Sequence, residues 1–174
     1  MIQKALKFSE IKHSGQMYGD SPYMNHIHDV VELAKKLGYN EDIQVCCALH
    51  DVLEDTDTNV NDIISNFGVG VFETVWAVTD AHGKDRKEKK QNTYPKIKGS
   101  YKATIVKLLD RVCNIKACLE NENHDKFKMY QDEHKELFES VKSENHSNLV
   151  VPAWEEYAKF FGLNLDISYK NYIK

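Results

Sequence analysis

The chain has 174 residues, 41% of them hydrophobic, with 23 basic and 27 acidic side chains and a net charge of −4. That length supports one domain with a substantial core. The charge balance gives no global attraction to nucleic acid or to a membrane surface, and no apolar run reaches transmembrane length, so neither partner is expected.

Taken in order, Met1-Ile2-Gln3-Lys4-Ala5-Leu6-Lys7 is an amphipathic start that lacks the apolar core of a secretion signal. Strand-like alternation is nearly absent, and helical periodicity recurs instead. Met24, Ile27, Val30, Val31, Ala34 and Leu37 form one stripe, and Gly38 ends that helix. Residues 41–53 predict a second helix, closed by the polar turn Asp55-Thr56-Asp57-Thr58. A short helix follows over 59–66, and another over 69–79 after Phe67-Gly68. Residues 80–90 are charged and loop-like at their start. A strong helix spans 103–119, with Val106, Leu109, Val112, Cys113 and Ile115 apolar. Helices over 126–143 and 148–161 complete the set, and an irregular tail is expected from Gly162. The reading is one all-α domain over residues 1–161, of roughly eight to ten helices, followed by a tail over 162–174.

Cysteines stand at 46, 47, 113 and 118. Their spacing makes neither a CxxC pair nor a disulfide framework, so they read as small buried residues of a cytoplasmic protein. Asn145-His146-Ser147 matches a glycosylation sequon, which carries no weight without a secretion signal.

The chemistry concentrates in Ala48-Leu49-His50-Asp51-Val52-Leu53-Glu54-Asp55-Thr56. Residues four apart share a helix face, which sets Glu54 over His50 and Asp55 over Asp51. Imidazole plus carboxylate suits a divalent metal such as Mn, Fe or Zn. The two acids beyond could move protons for a water held by that metal. Taken alone, His-Asp reads more readily as solvated surface. Here Val45, Cys46, Cys47, Ala48, Leu49, Val52 and Leu53 argue for burial, and buried carboxylates beside an imidazole call for a cation. Asp110 lies in the mostly apolar run 105–112, where it needs either a salt bridge to Lys107 or Arg111 or a metal. Asn114 follows one turn later on the same face. His13, His26 and His28 compete as a further ligand, and sequence physics alone leaves the three nearly equivalent.

The pattern His26 … His50-Asp51 … Asp110 resembles the HD-domain metal phosphohydrolases. Within them it looks most like the hydrolase domain of the RelA/SpoT family and its small stand-alone relatives, which remove the 3′-pyrophosphate from (p)ppGpp. The opening His13-Ser14-Gly15-Gln16 with Pro22-Tyr23-Met24-Asn25-His26 is similar to that family's H-x-G-Q … PY-x-x-H segment. Residues 50–56 match its HDxxEDT signature, and Lys107-Leu108-Leu109-Asp110-Arg111-Val112-Cys113-Asn114 its KLxDRxxN run. The resemblance covers about residues 5 to 143 and implies an HD-type helical fold.

The resemblance implies His26, His50, Asp51 and Asp110 as ligands of one metal ion, usually Mn2+ in this family, with Fe2+ or Zn2+ as substitutes. It implies Glu54 and Asp55 as the pair serving the attacking water. Asn114 would touch the sugar or phosphate of the substrate, and Lys126 with Tyr130 would sit at its phosphates. Where the family usually carries basic residues before its PY pair, this chain has Met17 and Tyr18. Tyr18 would then stack on the base, and Arg86, in the basic segment 84–90, would replace the lost phosphate contacts. The implied partner is a small nucleotide handled in the cytoplasm, with the oligomeric state open and no room for a synthetase domain. Other readings are an HD phosphohydrolase acting on the 2′-phosphate of NADPH or on a deoxynucleotide, and a non-catalytic alarmone-binding module. Degenerate ligands would mark the last of these, and all four ligand positions are filled here.

Overall fold

The computed structural model describes residues 1–142 and 148–161. The sequon at Asn145 and the tail from Gly162 lie outside the described residues. Among the described residues the chain forms ten α-helices and one small hairpin, so the expected all-α class is borne out. The helices are α1 (Ile2–Lys12), α2 (Tyr23–Lys36), α3 (Glu41–Leu49), α4 (Val52–Asp55), α5 (Val60–Phe67), α6 (Val69–Val78), α7 (Arg86–Lys98), α8 (Tyr101–Glu120), α9 (His124–Val141) and α10 (Val151–Ala158). The hairpin joins β1 (Met17–Tyr18) to β2 (Ser21–Pro22), antiparallel, with Met17 opposite Pro22 and Tyr18 opposite Ser21. No helix among the described residues is long and apolar enough to cross a membrane. All four cysteines are free and buried, as their spacing predicts.

α8 is the central element. It packs against α2, α3, α6, α7, α9 and α10, and every residue from Ala103 to Cys113 is buried. A helix enclosed on all sides should be apolar all round. α8 instead carries Thr104, Lys107, Asp110 and Arg111 inside, and each buried charge must find a partner there. Ser100 caps its start by accepting a hydrogen bond from the Ala103 backbone N–H.

Two local features depart from the sequence reading. The predicted helix over 41–53 breaks: α3 stops at Leu49, and α4 restarts after Asp51. His50 stays right-handed helical at φ −59°, ψ −31°, whereas Asp51 moves to φ −102°, ψ −5°. That is the sparsely populated bridge region between helix and extended backbone. The restart is anchored on the Asp51 carbonyl, which accepts from the backbone N–H groups of Glu54 (3.1 Å) and Asp55 (2.9 Å). The one-turn offset from Asp51 to Asp55 survives, while Glu54 turns toward the loop at Asp80.

The second departure is α7, a full helix where sequence periodicity gives only a charged, loop-like start. Its buried residues are Lys90, Thr93, Tyr94 and Ile97. That spacing is helical, but two of the four positions are polar and Pro95 lies inside the helix, so hydrophobicity does not reveal it. Elsewhere the signals hold. Asn59 and Asp62 form a reciprocal capping box at the start of α5. Gly68, at φ 90°, makes the turn between α5 and α6 in a backbone region that disfavours side chains.

Candidate metal centre

Three elements bring the candidate ligands together. α2 supplies His26 on its buried face, the α3–α4 junction supplies His50 and Asp51, and α8 supplies Asp110. Ligand atoms of His26, His50 and Asp51 all lie within 4.8 Å of one another. His26 Nε2 is 3.3 Å from Asp110 Oδ1 and 3.9 Å from Asp51 Oδ2. His50 Nε2 is 2.9 Å from Asp51 Oδ2 and 3.6 Å from Asp110 Oδ1. The competing histidines sit apart from this cluster. His28 is exposed, and His13 is buried in a stack on the Tyr23 ring, centroids 4.6 Å apart.

The donor set fits a divalent cation. His50 Nδ1 donates to the Cys47 carbonyl at 2.8 Å, which leaves Nε2 as the nitrogen that faces Asp51 and Asp110. That nitrogen is buried and makes no hydrogen bond, although a carboxylate oxygen is 2.9 Å away. Two imidazole nitrogens and the Asp51 carboxylate within 4.8 Å of one another are a donor set that Mn, Fe or Zn accepts, and Asp110 Oδ1 lies beside both imidazoles.

The charges within the cluster are strongly interdependent. Burial opposes ionisation of Asp110, but the Lys107 ammonium and the two imidazoles outweigh it and hold the carboxyl well below the usual range. Burial likewise opposes ionisation of Asp51, and the His50 charge outweighs it, so that carboxyl is also lowered. Burial would depress His50, yet the Asp51 and Asp110 carboxylates push it well up. Carboxylates lowered on folding stabilise the native state above their unfolded pKa, and that contribution disappears as pH falls through the folded values. Urea midpoints of the metal-free protein should therefore fall steadily from pH about 5 to about 2. A midpoint that stays flat across that window would contradict the depressed carboxyls.

Glu54 and Asp55 occupy the turn beyond the cluster, both exposed. Glu54 Oε2 accepts from the Asp80 backbone N–H at 2.9 Å. Loss of hydration, and then the charges of Asp80 and Asp51, raise its carboxyl above the ordinary range. The Tyr23 hydroxyl lies 2.7 Å from Asp51 Oδ2 and 2.8 Å from Asp55 Oδ2, so it bridges a candidate ligand and a candidate proton acceptor.

A basic wall flanks the site. Buried Lys107 donates to Asp110 Oδ2 at 3.1 Å. Buried Lys90 donates to both oxygens of Asp80, at 2.8 and 2.7 Å. Arg111 pairs with Glu133 at 2.8 Å and lies over the Tyr130 ring, 4.4 Å from its centroid. Arg86 binds the same Glu133 through Nε (2.5 Å) and a second nitrogen (3.1 Å). On the hairpin side, Tyr18 stacks on His26 with centroids 5.0 Å apart and donates to Asn114 Oδ1. The Asn114 amide in turn donates to Asp110 Oδ1. Lys126 Nζ lies 3.4 Å from the Tyr18 hydroxyl and 4.8 Å from its ring centroid.

Asp110 turns one oxygen toward Lys107, the salt bridge the sequence allows, and the other toward the two imidazoles. Arg86 and Tyr130 are drawn together through Glu133 and Arg111, while Lys126, Tyr18 and Asn114 gather at the hairpin. Sequence reasoning gives no role to Tyr23 or Glu133; Arg111, a possible partner of Asp110 by sequence, pairs with Glu133 instead, and Lys90 of the basic segment binds Asp80. Tyr23 had a signal, its place beside Pro22 ahead of His26. Glu133 had none, because an acid on α9 reads as solvated. A cleft of about 610 Å3 lined by α1, His13, Gln16 and Tyr23 holds none of the four candidate ligands. A smaller one of about 270 Å3, lined by Tyr18, Asp20, Cys118 and Lys126, lies next to the Tyr18–His26 stack.

This chain belongs to the HD-domain family, whose model matches residues 5–143. A protein of Danio rerio named guanosine-3′,5′-bis(diphosphate) 3′-pyrophosphohydrolase MESH1 is 32% identical over 122 residues, 67% of this chain and 68% of its own length. An Aquifex aeolicus protein named guanosine-3′,5′-bis(diphosphate) 3′-pyrophosphohydrolase is 32% identical over 120 residues, 66% of this chain and 17% of its own length. A solved structure described as a metazoan ortholog of SpoT that hydrolyzes ppGpp superposes with a TM-score of 0.73. The superposition covers 91% of this chain and 94% of that one at 23% identity, a likeness of fold.

Proposed function

We propose that this chain is a metal-dependent hydrolase that removes the 3′-pyrophosphate of (p)ppGpp, releasing GDP or GTP and pyrophosphate, in the cytoplasm. The observation that carries a metal reaction is the cluster of His26, His50 and Asp51 donor atoms within 4.8 Å of one another, with both imidazoles buried, beside the Glu54–Asp55 pair. The substrate is inferred from the named activity of the Danio rerio and Aquifex aeolicus relatives.

His26, His50, Asp51 and Asp110 would hold the cation, and we take Mn2+ as the ion. When bound, it supplies Lewis acidity at the phosphoryl oxygens and lowers the pKa of water. Glu54 and Asp55 orient the attacking water and take its proton. Water oxygen bonds to the phosphorus on the 3′ oxygen, the bond from that phosphorus to the 3′ oxygen breaks, and the 3′ oxygen leaves with a proton. Lys107 and Lys90 set positive charge on the Glu54 side, where negative charge builds up on the pyrophosphate. Lys126, which pairs with no carboxylate among the described residues, is assigned to the substrate phosphates at the hairpin side. Tyr18 and Asn114 line the nucleoside approach, and Arg86 and Tyr130 support the basic wall through Glu133 and Arg111.

The test is ppGpp incubated with the purified chain and Mn2+, resolved by anion exchange, with an EDTA control. GDP plus pyrophosphate, abolished by EDTA, is the expected result. An unchanged ppGpp peak with Mn2+ bound would reject the substrate.

A further inference from the structure

We infer that Tyr23 is a positioning residue that locks Asp55 to the metal-ligand face of Asp51; for its catalytic consequence this rests on the reading above. The Tyr23 hydroxyl meets the same Asp51 oxygen, Oδ2, that faces both imidazoles. The hydroxyl lies within hydrogen-bond distance of that oxygen and of Asp55 Oδ2, at 2.7 and 2.8 Å. Asp55 is exposed, and Tyr23 is the group among the described residues that holds its carboxylate. An exposed carboxylate with no such tether samples several rotamers, and only some of them would face a water at the metal centre.

The tether is itself anchored at both ends. The Tyr23 ring lies flat on buried His13, with an interplanar angle of 13°. Its backbone N–H donates to the Gln16 carbonyl at 3.0 Å. The Gln16 side chain then spans the gap. Its amide nitrogen donates to the Asp55 carbonyl at 2.6 Å, and its oxygen faces His13 Nδ1 at 2.7 Å. The opening loop and α4 are thereby joined twice, once through Gln16 to the Asp55 backbone and once through Tyr23 to its carboxylate. Asp55 is fixed at both positions that decide where its oxygens point.

The test is Tyr23→Phe in the full chain, which keeps the ring on His13 and removes only the hydroxyl. Two measurements are made: Mn2+ binding by titration calorimetry, and steady-state ppGpp hydrolysis. Loss of a group that orients a ligand typically costs about 10- to 100-fold in metal affinity or activity. The expected result is a weaker Mn2+ affinity and a kcat lower by about that factor, with KM for ppGpp and the thermal midpoint unmoved. A purely structural tyrosine would move the midpoint and leave the kcat-to-KM split alone. Wild-type Mn2+ affinity together with wild-type kcat would overturn the inference. Should the parent chain leave ppGpp untouched, the substrate assignment falls, while the Mn2+ titration still decides whether Tyr23 orients Asp51.

Discussion

Replacing Asp110 by alanine is expected to abolish Mn2+ binding and turnover and to cost about 3–5 kcal/mol of stability. The catalytic loss follows from removing a candidate ligand oxygen 3.3 and 3.6 Å from the two imidazole nitrogens. The stability loss has a separate source. Lys107 is 9% exposed, and its ammonium donates to Asp110 at 3.1 Å. Burial works against that charge, and the Asp110 carboxylate outweighs it to hold the lysine protonated. Without Asp110 the ammonium is stranded in the middle of α8, close to Arg111. Urea unfolding and Mn2+ calorimetry separate the two effects. The double variant Lys107→Met/Asp110→Ala should recover most of the stability and none of the metal binding. A single Asp110→Ala protein with parental Mn2+ affinity would refute the ligand assignment. One with parental stability would refute the pairing.

Replacing Glu54 by glutamine is expected to lower kcat by about 100- to 10,000-fold while leaving Mn2+ affinity intact. Glutamine preserves the shape and can still accept from the Asp80 N–H, but it cannot take a proton. The pH profile supplies a second check. A base works only when ionised, and the Glu54 carboxyl is raised by desolvation and by Asp80 and Asp51. Activity should therefore fail, as pH drops, at a value above the ordinary glutamate pKa of about 4.3. In the glutamine variant the residual rate should lack that limb. Parental turnover by the Glu54→Gln protein would remove Glu54 from the proton path.

Much of this architecture is legible in the sequence, and the parts that are not fail for identifiable reasons. The apolar stripe of α2, the polar turn ahead of α5 and the Phe67-Gly68 turn give local signals that tertiary packing leaves unaltered. α7 is invisible to hydrophobicity because Lys90 and Thr93 fill two of its four buried positions. The break at His50-Asp51 is hidden because the apolar run from Val45 to Leu53 continues straight through it, and a single residue in the bridge region leaves no compositional trace. Choosing among His13, His26 and His28 needs three-dimensional distance, since His26 and His28 share the start of α2 and His13, at the end of α1, is no less plausible from its residue type. Asp110 shows the opposite limit. Salt bridge and metal ligand were competing readings in one dimension, yet a carboxylate has two oxygens, and here one meets Lys107 while the other faces the imidazoles, so the two readings need not compete.

The enclosure of α8 also bears on how this protein can be altered. Its interior charges occupy the positions where apolar substitutions most readily raise the stability of a fold. At Lys107, Asp110 and Arg111 such changes would dismantle the proposed cation site or the wall beside it. Thermostabilising campaigns that rank variants by melting temperature alone should therefore enrich inactive proteins at α8. Productive gains should come instead from the outer helices, where exposed Ile11, Val69 and Trp76 can be exchanged without reaching the buried charges.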